Sequence, residues 1–347
     1  MSGAPKGVLD TTGMWDVTEA FPEQIEQAAK ASASLIGLPS HDEIENVVVL
    51  GMGGSGIAGD IMTAVAGPFM PVPIVVTKGY EPPSFVGPTT LCFALSFSGD
   101  TEETVEAAQT AALSGARMVV IAKDGELVRL AQSWDATLID LPDGIPYPRA
   151  ALGAMSIPTL LVLEQTGLFH GASGWVALAV EQLKVRRDEL FKPDNGAREL
   201  ARRIGRTMPI VYGGGGLGAA AALRWKNEVN ENPKVPAFVH TVPELTHNEI
   251  AGWGQHGDVT RQVFSLILLR HDHEHPQIMR RFDLIRQWTE EAVNRIEEVH
   301  AAGDGPLAQV LDMMLYGSVV SLHMAAQEGV DPGPITVLEE IKTALAD

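Results

Sequence analysis

Short apolar runs rich in Val, Ile and Leu recur along the chain, separated by stretches whose apolar positions repeat at helical spacing. Residues 46–50, 73–77, 91–96, 117–122 and 136–140 have the length and composition of buried strands. Thr101–Leu113 and Glu126–Gln132 between them carry a helical pattern. Continuous apolar strands alternating with helices predict a parallel sheet covered on both faces. A second series starts near Met208, with 210–212, 235–240 and 263–269 as strands. Helices should follow its first and third members, the last from Ile278 to His300. Val47–Asp60 and Ile210–Gly218 share one plan of strand, glycines and helix. The pattern predicts two similar α/β domains, 1–190 and 191–347, joined through a helical segment around Gly174–Leu190.

The first glycine run, Gly51-Met52-Gly53-Gly54-Ser55-Gly56, stands between a strand and a helix. Backbone N–H groups at such a helix start face an anion. Two readings fit. Gly51, Gly53 and Gly56 match the dinucleotide spacing G-x-G-x-x-G, and Gly53-Gly54-Ser55 equally suits a sugar-phosphate loop. A dinucleotide site expects an acidic residue at the end of the next strand. That strand ends Val75-Val76-Thr77-Lys78, which makes the dinucleotide reading the poorer one. A second polar loop, Ser96-Phe97-Ser98-Gly99-Asp100-Thr101, also follows a strand and opens a helix. Its hydroxyls and the helix N-terminus suit a phosphate monoester, with Asp100 expected to cap the helix and Glu103 to complete a capping box.

Composition narrows the partners. A net charge of −19 argues against affinity for nucleic acid or anionic membranes. An anionic ligand must then be held by N–H groups, hydroxyls and a few placed cations. The single cysteine, Cys92, lies in an apolar run and reads as a buried structural thiol in a reducing cytoplasm. Residues 1–10 lack the pattern of a signal peptide, and no uninterrupted apolar stretch approaches the length that spans a bilayer. The cluster His271-Asp272-His273-Glu274-His275 could hold a metal on spacing alone, but a solvated strand-to-helix loop is the better account. Gly213–Gly216 has no hydroxyl neighbour and reads as close backbone packing.

Four blocks then occur in an order of high specificity: the glycine loop, Ser96–Thr104, Asn230-Glu231-Asn232-Pro233-Lys234 and Pro243-Glu244-Leu245-Thr246-His247-Asn248-Glu249. With them the chain resembles the bifunctional phosphoglucose/phosphomannose isomerases, proteins of two sugar isomerase (SIS) domains. The resemblance runs from about Asn46 to the C-terminus. It implies interconversion of glucose 6-phosphate, and of mannose 6-phosphate, with fructose 6-phosphate, without metal or cofactor. It assigns Gly53, Gly54, Ser55, Ser96, Ser98 and Thr101 to the substrate and chiefly its phosphate. Glu231 matches the base moving a proton between C1 and C2, and Arg149 the arginine steadying the enediolate. His247 matches a ring-opening histidine reaching the site from the partner of a homodimer, and Lys342 a lysine assisting ring opening. A non-catalytic SIS-type sugar-phosphate sensor is the alternative. It would need the phosphate loops, but not Glu231, Arg149 and His247 together. The chain departs from the family around Gly333, where relatives often carry a hydroxyl residue associated with accepting the mannose epimer.

The chemistry asks for such residues. A base for carbon acids should titrate near neutrality, above the ordinary glutamate. Glu231 ends the helical run Ala219–Asn230, where terminal carbonyls would raise its pKa. Glu228 is spaced to pair with Arg224, and Glu244 and Glu249 flank His247.

Overall fold

The run Val47–Leu50 forms the middle of β1 (Asn46–Gly51), the second strand of a five-stranded parallel sheet. The computed structural model describes Pro5 and residues 7–346. The sheet order is β2 (Ile74–Thr77), β1, β3 (Thr90–Ser96), β4 (Arg117–Ala122) and β5 (Thr137–Asp140). Two helices precede it, α1 (Met14–Glu19) and α2 (Phe21–Ala31). Its crossover helices are α3 (Gly53–Val65), α4 (Glu102–Leu113) and α5 (Gly125–Ser133). Three helices follow: α6 (Leu152–Gln165), α7 (Ala172–Leu190) and α8 (Gly196–Ile204).

The second sheet is also parallel, in the order β7 (Phe238–Val242), β6 (Met208–Gly214), β8 (Phe264–Arg270) and β9 (Arg295–His300). Helix α9 (Gly215–Glu231) follows β6, α10 (Gly257–Val263) precedes β8, and α11 (Pro276–Thr289) follows it. The chain closes with α12 (Pro306–Glu328) and α13 (Thr336–Ala346).

Period-two alternation divides the strand residues between cores. Val47, Val49, Leu91, Phe93 and Leu95 of the first sheet join Val211, Ile267 and Leu269 of the second in one central cluster. Residues of α2, α3, α6, α7, α9 and α12 fill it. Val48, Cys92, Ala94 and Val120 face outward beneath α4 and α5. Ile210, Tyr212, Leu266 and Leu268 do the same beneath α11. Cys92 is fully buried, and burial pushes its thiol up to about 12, as suits a structural residue. Helix α12 is long and apolar enough to cross a membrane, but it lies buried against α7, α8 and α9.

The structure corrects several expectations, among them the strand expected at 235–240, which runs instead over Phe238–Val242 as β7. The helix expected from Ile278 to His300 stops at Thr289, and 295–300 is the edge strand β9. Its Arg-Ile-Glu-Glu-Val run looks solvated because the glutamates are paired from the side: Glu297 with Arg203 at 2.8 Å, Glu298 with Arg286 at 2.6 Å. Asp100 does not cap α4. Thr101 is the N-cap residue, and the Asp100 carboxylate accepts instead from the Glu126 N–H at 2.8 Å, tying this loop to α5.

Helices α3 and α9 pack on each other across the two halves, and a Cβ on Gly216 would lie 3.5 Å from Cα of Ala64. The beginning of α9 therefore meets the end of α3. Correspondingly, the beginning of α3 meets the end of α9, with the 3-10 turn Pro148–Ala151 between them.

Candidate active site

At that meeting point a strand end, a helix start and a helix end converge. Helix α3 begins directly in the glycines and has no side-chain cap. Its first backbone hydrogen bond runs from Gly56 N–H to the Met52 carbonyl, so the N–H groups of Gly53, Gly54 and Ser55 stand at the open end of the helix. Glycine at 54 is a packing requirement: a Cβ there would approach the Pro148 carbonyl to 3.2 Å. The phosphate-type loop and the Arg149 turn are thus in backbone contact.

The loop after β3 lies beside it, because β3 pairs with β1 up to Gly51 and Leu95. Ser96 Oγ accepts from Gly99 N–H at 3.0 Å and stands 2.8 Å from Thr101 Oγ1. Ser98 Oγ accepts from Asp100 N–H at 3.3 Å. Gly99 takes a φ of 82°, and a side chain there would collide with the Asp124 carbonyl. Helix α4 has no side-chain cap, and Thr104 Oγ1 in its first turn is buried without a partner. Two uncapped helix starts and the hydroxyls of Ser96, Ser98 and Thr101 between them make a cradle suited to an anion, without a basic cluster.

Arg149 is buried, 4 % exposed, and desolvation holds its guanidinium below the ordinary arginine range. Its Nη1 stands 3.5 Å from Glu231 Oε2. Nε donates to Asn232 Oδ1 at 3.0 Å, and Nη2 donates to the carbonyls of Pro332 at 2.6 Å and Gly333 at 2.5 Å. With five N–H groups in all, the guanidinium keeps one Nη1 hydrogen beyond these contacts. The Tyr147 ring lies under it, 4.5 Å from ring centre to Cζ.

Glu231 is the last residue of α9, and its carboxyl is raised above the ordinary range. Burial is the largest cause, Arg149 opposes it, and Glu228 adds to it. Burial thus leads the shift for which the sequence offered the helix C-terminus. Beneath the pair, Arg224 and Glu228 form the buried i, i+4 ion pair that the spacing indicated. Arg224 donates to the Arg149 carbonyl, and Asn232 Nδ2 donates to Glu228 at 2.6 Å and Ser321 at 2.8 Å. Asn232, Lys234 and the two turn carbonyls are the site groups that sequence reasoning missed. The first two sit inside a block already singled out, but nothing in the chain before Arg149 shows which residues will surround its guanidinium.

Two residues stand apart. His247 ends the 3-10 turn Glu244–His247 beyond β7 and is exposed. Neither flanking carboxylate touches it: Glu244 accepts from Asn248 at 2.8 Å, while Glu249 accepts from Tyr212 and lies 2.6 Å from His240 Nδ1. Lys342 lies on α13, exposed along residues 336–345, and the chain does not bring it to Glu231. In the histidine cluster, His271 is buried with Nε2 2.9 Å from the Gly214 carbonyl, contrary to the solvated loop expected there, and His275 Nδ1 caps α11. The described residues contain no cluster of metal-ligand type.

Two parallel sheets with the cradle at one sheet's carboxyl end define the class of two-domain SIS proteins. The C-terminal domain of glucosamine-fructose-6-phosphate aminotransferase from Francisella tularensis shares this fold: TM-score 0.70, 15% identity, 92% of this chain and 98% of that one. Residues 193–345 match the family model of the bacterial phospho-glucose isomerase C-terminal SIS domain. The bifunctional phosphoglucose/phosphomannose isomerase of Caldicellulosiruptor bescii is 30% identical over 339 residues, 96% of this chain and 99% of its own. That of Aquifex aeolicus is 31% identical over 304 residues, 87% and 90% of the two chains. The chain belongs to the bifunctional phosphoglucose/phosphomannose isomerase family.

Proposed function

We propose that the chain interconverts glucose 6-phosphate, and mannose 6-phosphate, with fructose 6-phosphate through an enediolate. The observation that supports it most is the contact of a raised glutamate with a buried arginine, set against an uncapped helix start. The phosphate is held by the N–H groups of Gly53, Gly54 and Ser55 and the hydroxyls of Ser55, Ser96, Ser98 and Thr101. The Glu231 carboxylate takes the proton from C2 of the open-chain aldose, and the C1 carbonyl oxygen becomes an enediolate oxygen. Its negative charge falls to the remaining Nη1 hydrogen of Arg149, whose charge persists at all working pH values. Glu231 returns the proton to C1 while the O2 proton passes to the O1 oxyanion, so that C1 becomes a hydroxymethyl group and C2 the carbonyl. No external oxidant enters the balance. His247 of a second copy and Lys342 serve ring opening in this reading, in a homodimer.

The test follows fructose 6-phosphate into both aldoses, in the presence of a chelator, for the native chain and Glu231→Gln. Loss of turnover by about 10²–10⁴ with binding retained is expected. Unchanged turnover in Glu231→Gln would remove Glu231 from the role of base. A native chain that binds the sugar phosphate but turns nothing over would point to sensing.

A further inference from the structure

A buried arginine free to meet a carboxylate forms a short two-pronged pair, with N–O distances of about 2.7–2.9 Å. Arg149 and Glu231 do not. A single contact of 3.5 Å joins them, while Nε and Nη2 turn to neutral oxygens of Asn232, Pro332 and Gly333. Something must hold those oxygens in place.

Asp331 does so for the turn. Its Oδ1 accepts from Gly333 N–H at 3.0 Å, and its Oδ2 accepts from the Thr11 hydroxyl at 2.6 Å and the Thr11 N–H at 3.3 Å. Lys234 holds the other side, its ammonium donating to the Asp331 carbonyl at 2.6 Å and the Asn232 carbonyl at 3.1 Å. Lys234 has a φ of 59°, in the left-handed region that a residue with a side chain seldom adopts. Segments far apart in sequence, at 11, 149, 231–234 and 331–333, are laced together around one guanidinium.

We propose that Asp331 and Lys234 are positioning residues that fix the Pro332–Gly333 turn and Asn232, so that Arg149 is restrained from closing on Glu231 and the carboxylate stays free to accept a proton. The charged groups acting on Glu231 are Arg149, Glu228, Arg224, Lys226 and Lys234. Burial and Glu228 push its carboxyl up, and Arg149 pulls it down. A closed ion pair would pull a carboxyl down by about 1–3 pH units, quenching the base.

The catalytic consequence rests on the isomerase reading; the restraint itself does not. The decisive measurement is therefore a carbon-13 NMR titration of Glu231 in the full-length, substrate-free protein, assigned with Glu231→Gln. In Asp331→Ala the Glu231 midpoint should fall by about one pH unit. In Asp331→Asn the fall should be clearly smaller, because the amide oxygen can still accept from Gly333 N–H, although the Thr11 N–H loses its acceptor, while the same charge is lost. The acidic limb of kcat should move down with the midpoint in Asp331→Ala, with kcat at pH 7 falling about tenfold and KM changing less than twofold. If Asp331→Ala does not fold, Thr11→Val removes one tether and should give a smaller shift in the same direction. A midpoint that does not move or rises, or equal shifts in the alanine and asparagine variants, would overturn the proposal. Absence of turnover in the native chain would sink the isomerase reading alone, leaving the titration to decide the restraint.

Discussion

Glu228 shows how one residue can carry stability and chemistry together. It is 3 % exposed, and its carboxylate pairs with the equally buried Arg224 and accepts from Asn232. Replacing it with glutamine leaves Arg224 buried without a counter-charge. Breaking such a pair costs about 3–5 kcal/mol, so Glu228→Gln should lose that much in urea unfolding at pH 7. The same change removes a like charge that holds the Glu231 carboxyl up. With the repulsion gone ionisation is easier, and the acidic limb of the pH–rate profile should move to lower pH. An unmoved limb in folded Glu228→Gln would show that the Glu228 charge does not govern the Glu231 carboxyl.

The residues legible in the sequence were those whose partners lie nearby or inside a contiguous motif. Arg224 and Glu228 were readable from i, i+4 spacing, and Gly53–Ser55 from the strand–glycine–helix plan. Glu231 and Arg149 were readable only through the family resemblance. The Pro332 and Gly333 carbonyls were not readable at all, because any residue has a carbonyl and the contact spans more than 180 positions. Gly333 has its own constraint: a side chain there would collide with Thr12 Oγ1, so the turn cannot take a larger residue at this position without moving Thr12.

Among elements, the buried strands were located to within one or two residues in the first sheet, since burial on both faces leaves continuous apolar runs. In the second sheet β7 starts three residues later than expected, and β9 was missed, an edge strand whose charged residues are satisfied by arginines from α8 and α11 and so mimic a helix surface. Helix α12 shows what an element buried on all sides does to a titratable group. His323 is 5 % exposed, meets Trp15 edge-on at 4.9 Å, and its Nε2 lies 3.3 Å from Asn195 Nδ2. Burial, aided by Arg198, pushes the imidazole down to about 4. The folded value lies below the ordinary value of about 6.5, so the neutral ring is the form that the fold favours. Above pH 6.5 both states are neutral and the full contribution is present. Between 6.5 and 4 the unfolded chain takes a proton that the folded one refuses, and stability falls by about 1.4 kcal/mol per pH unit. Urea unfolding at pH 7 and pH 4.5 should show the native protein losing about 2 kcal/mol more than His323→Leu. Equal losses would mean that the ring is protonated in the folded state.

At the scale of the whole molecule, the site in one chain is assembled from both halves yet lacks two of the residues proposed for it. The cradle comes from the first sheet, Glu231 from α9 and the restraining turn from the segment after α12, while His247 faces solvent beyond β7 and α13 stands clear of the body. Helix α13 exposes Val337, Leu338, Ile341 and Leu345, an apolar set that one chain leaves unmatched. His247 is exposed and neither flanking carboxylate engages it, so the role proposed for it in a neighbouring copy can be tested directly. The consequence is countable. If His247 crosses between two copies, Glu231→Gln and His247→Ala each inactivate every site in their own homodimers. In a mixed dimer one site has both defects, and the other has neither, since its glutamate and its visiting histidine are both native. Equal amounts of the two variants, unfolded together and refolded, place half of the dimers in the mixed form, and half of the sites in those are sound. About one quarter of native turnover should therefore return, while the variants refolded separately stay inactive. If His247 acts within its own chain, every site in the mixture carries one defect, and no turnover will return.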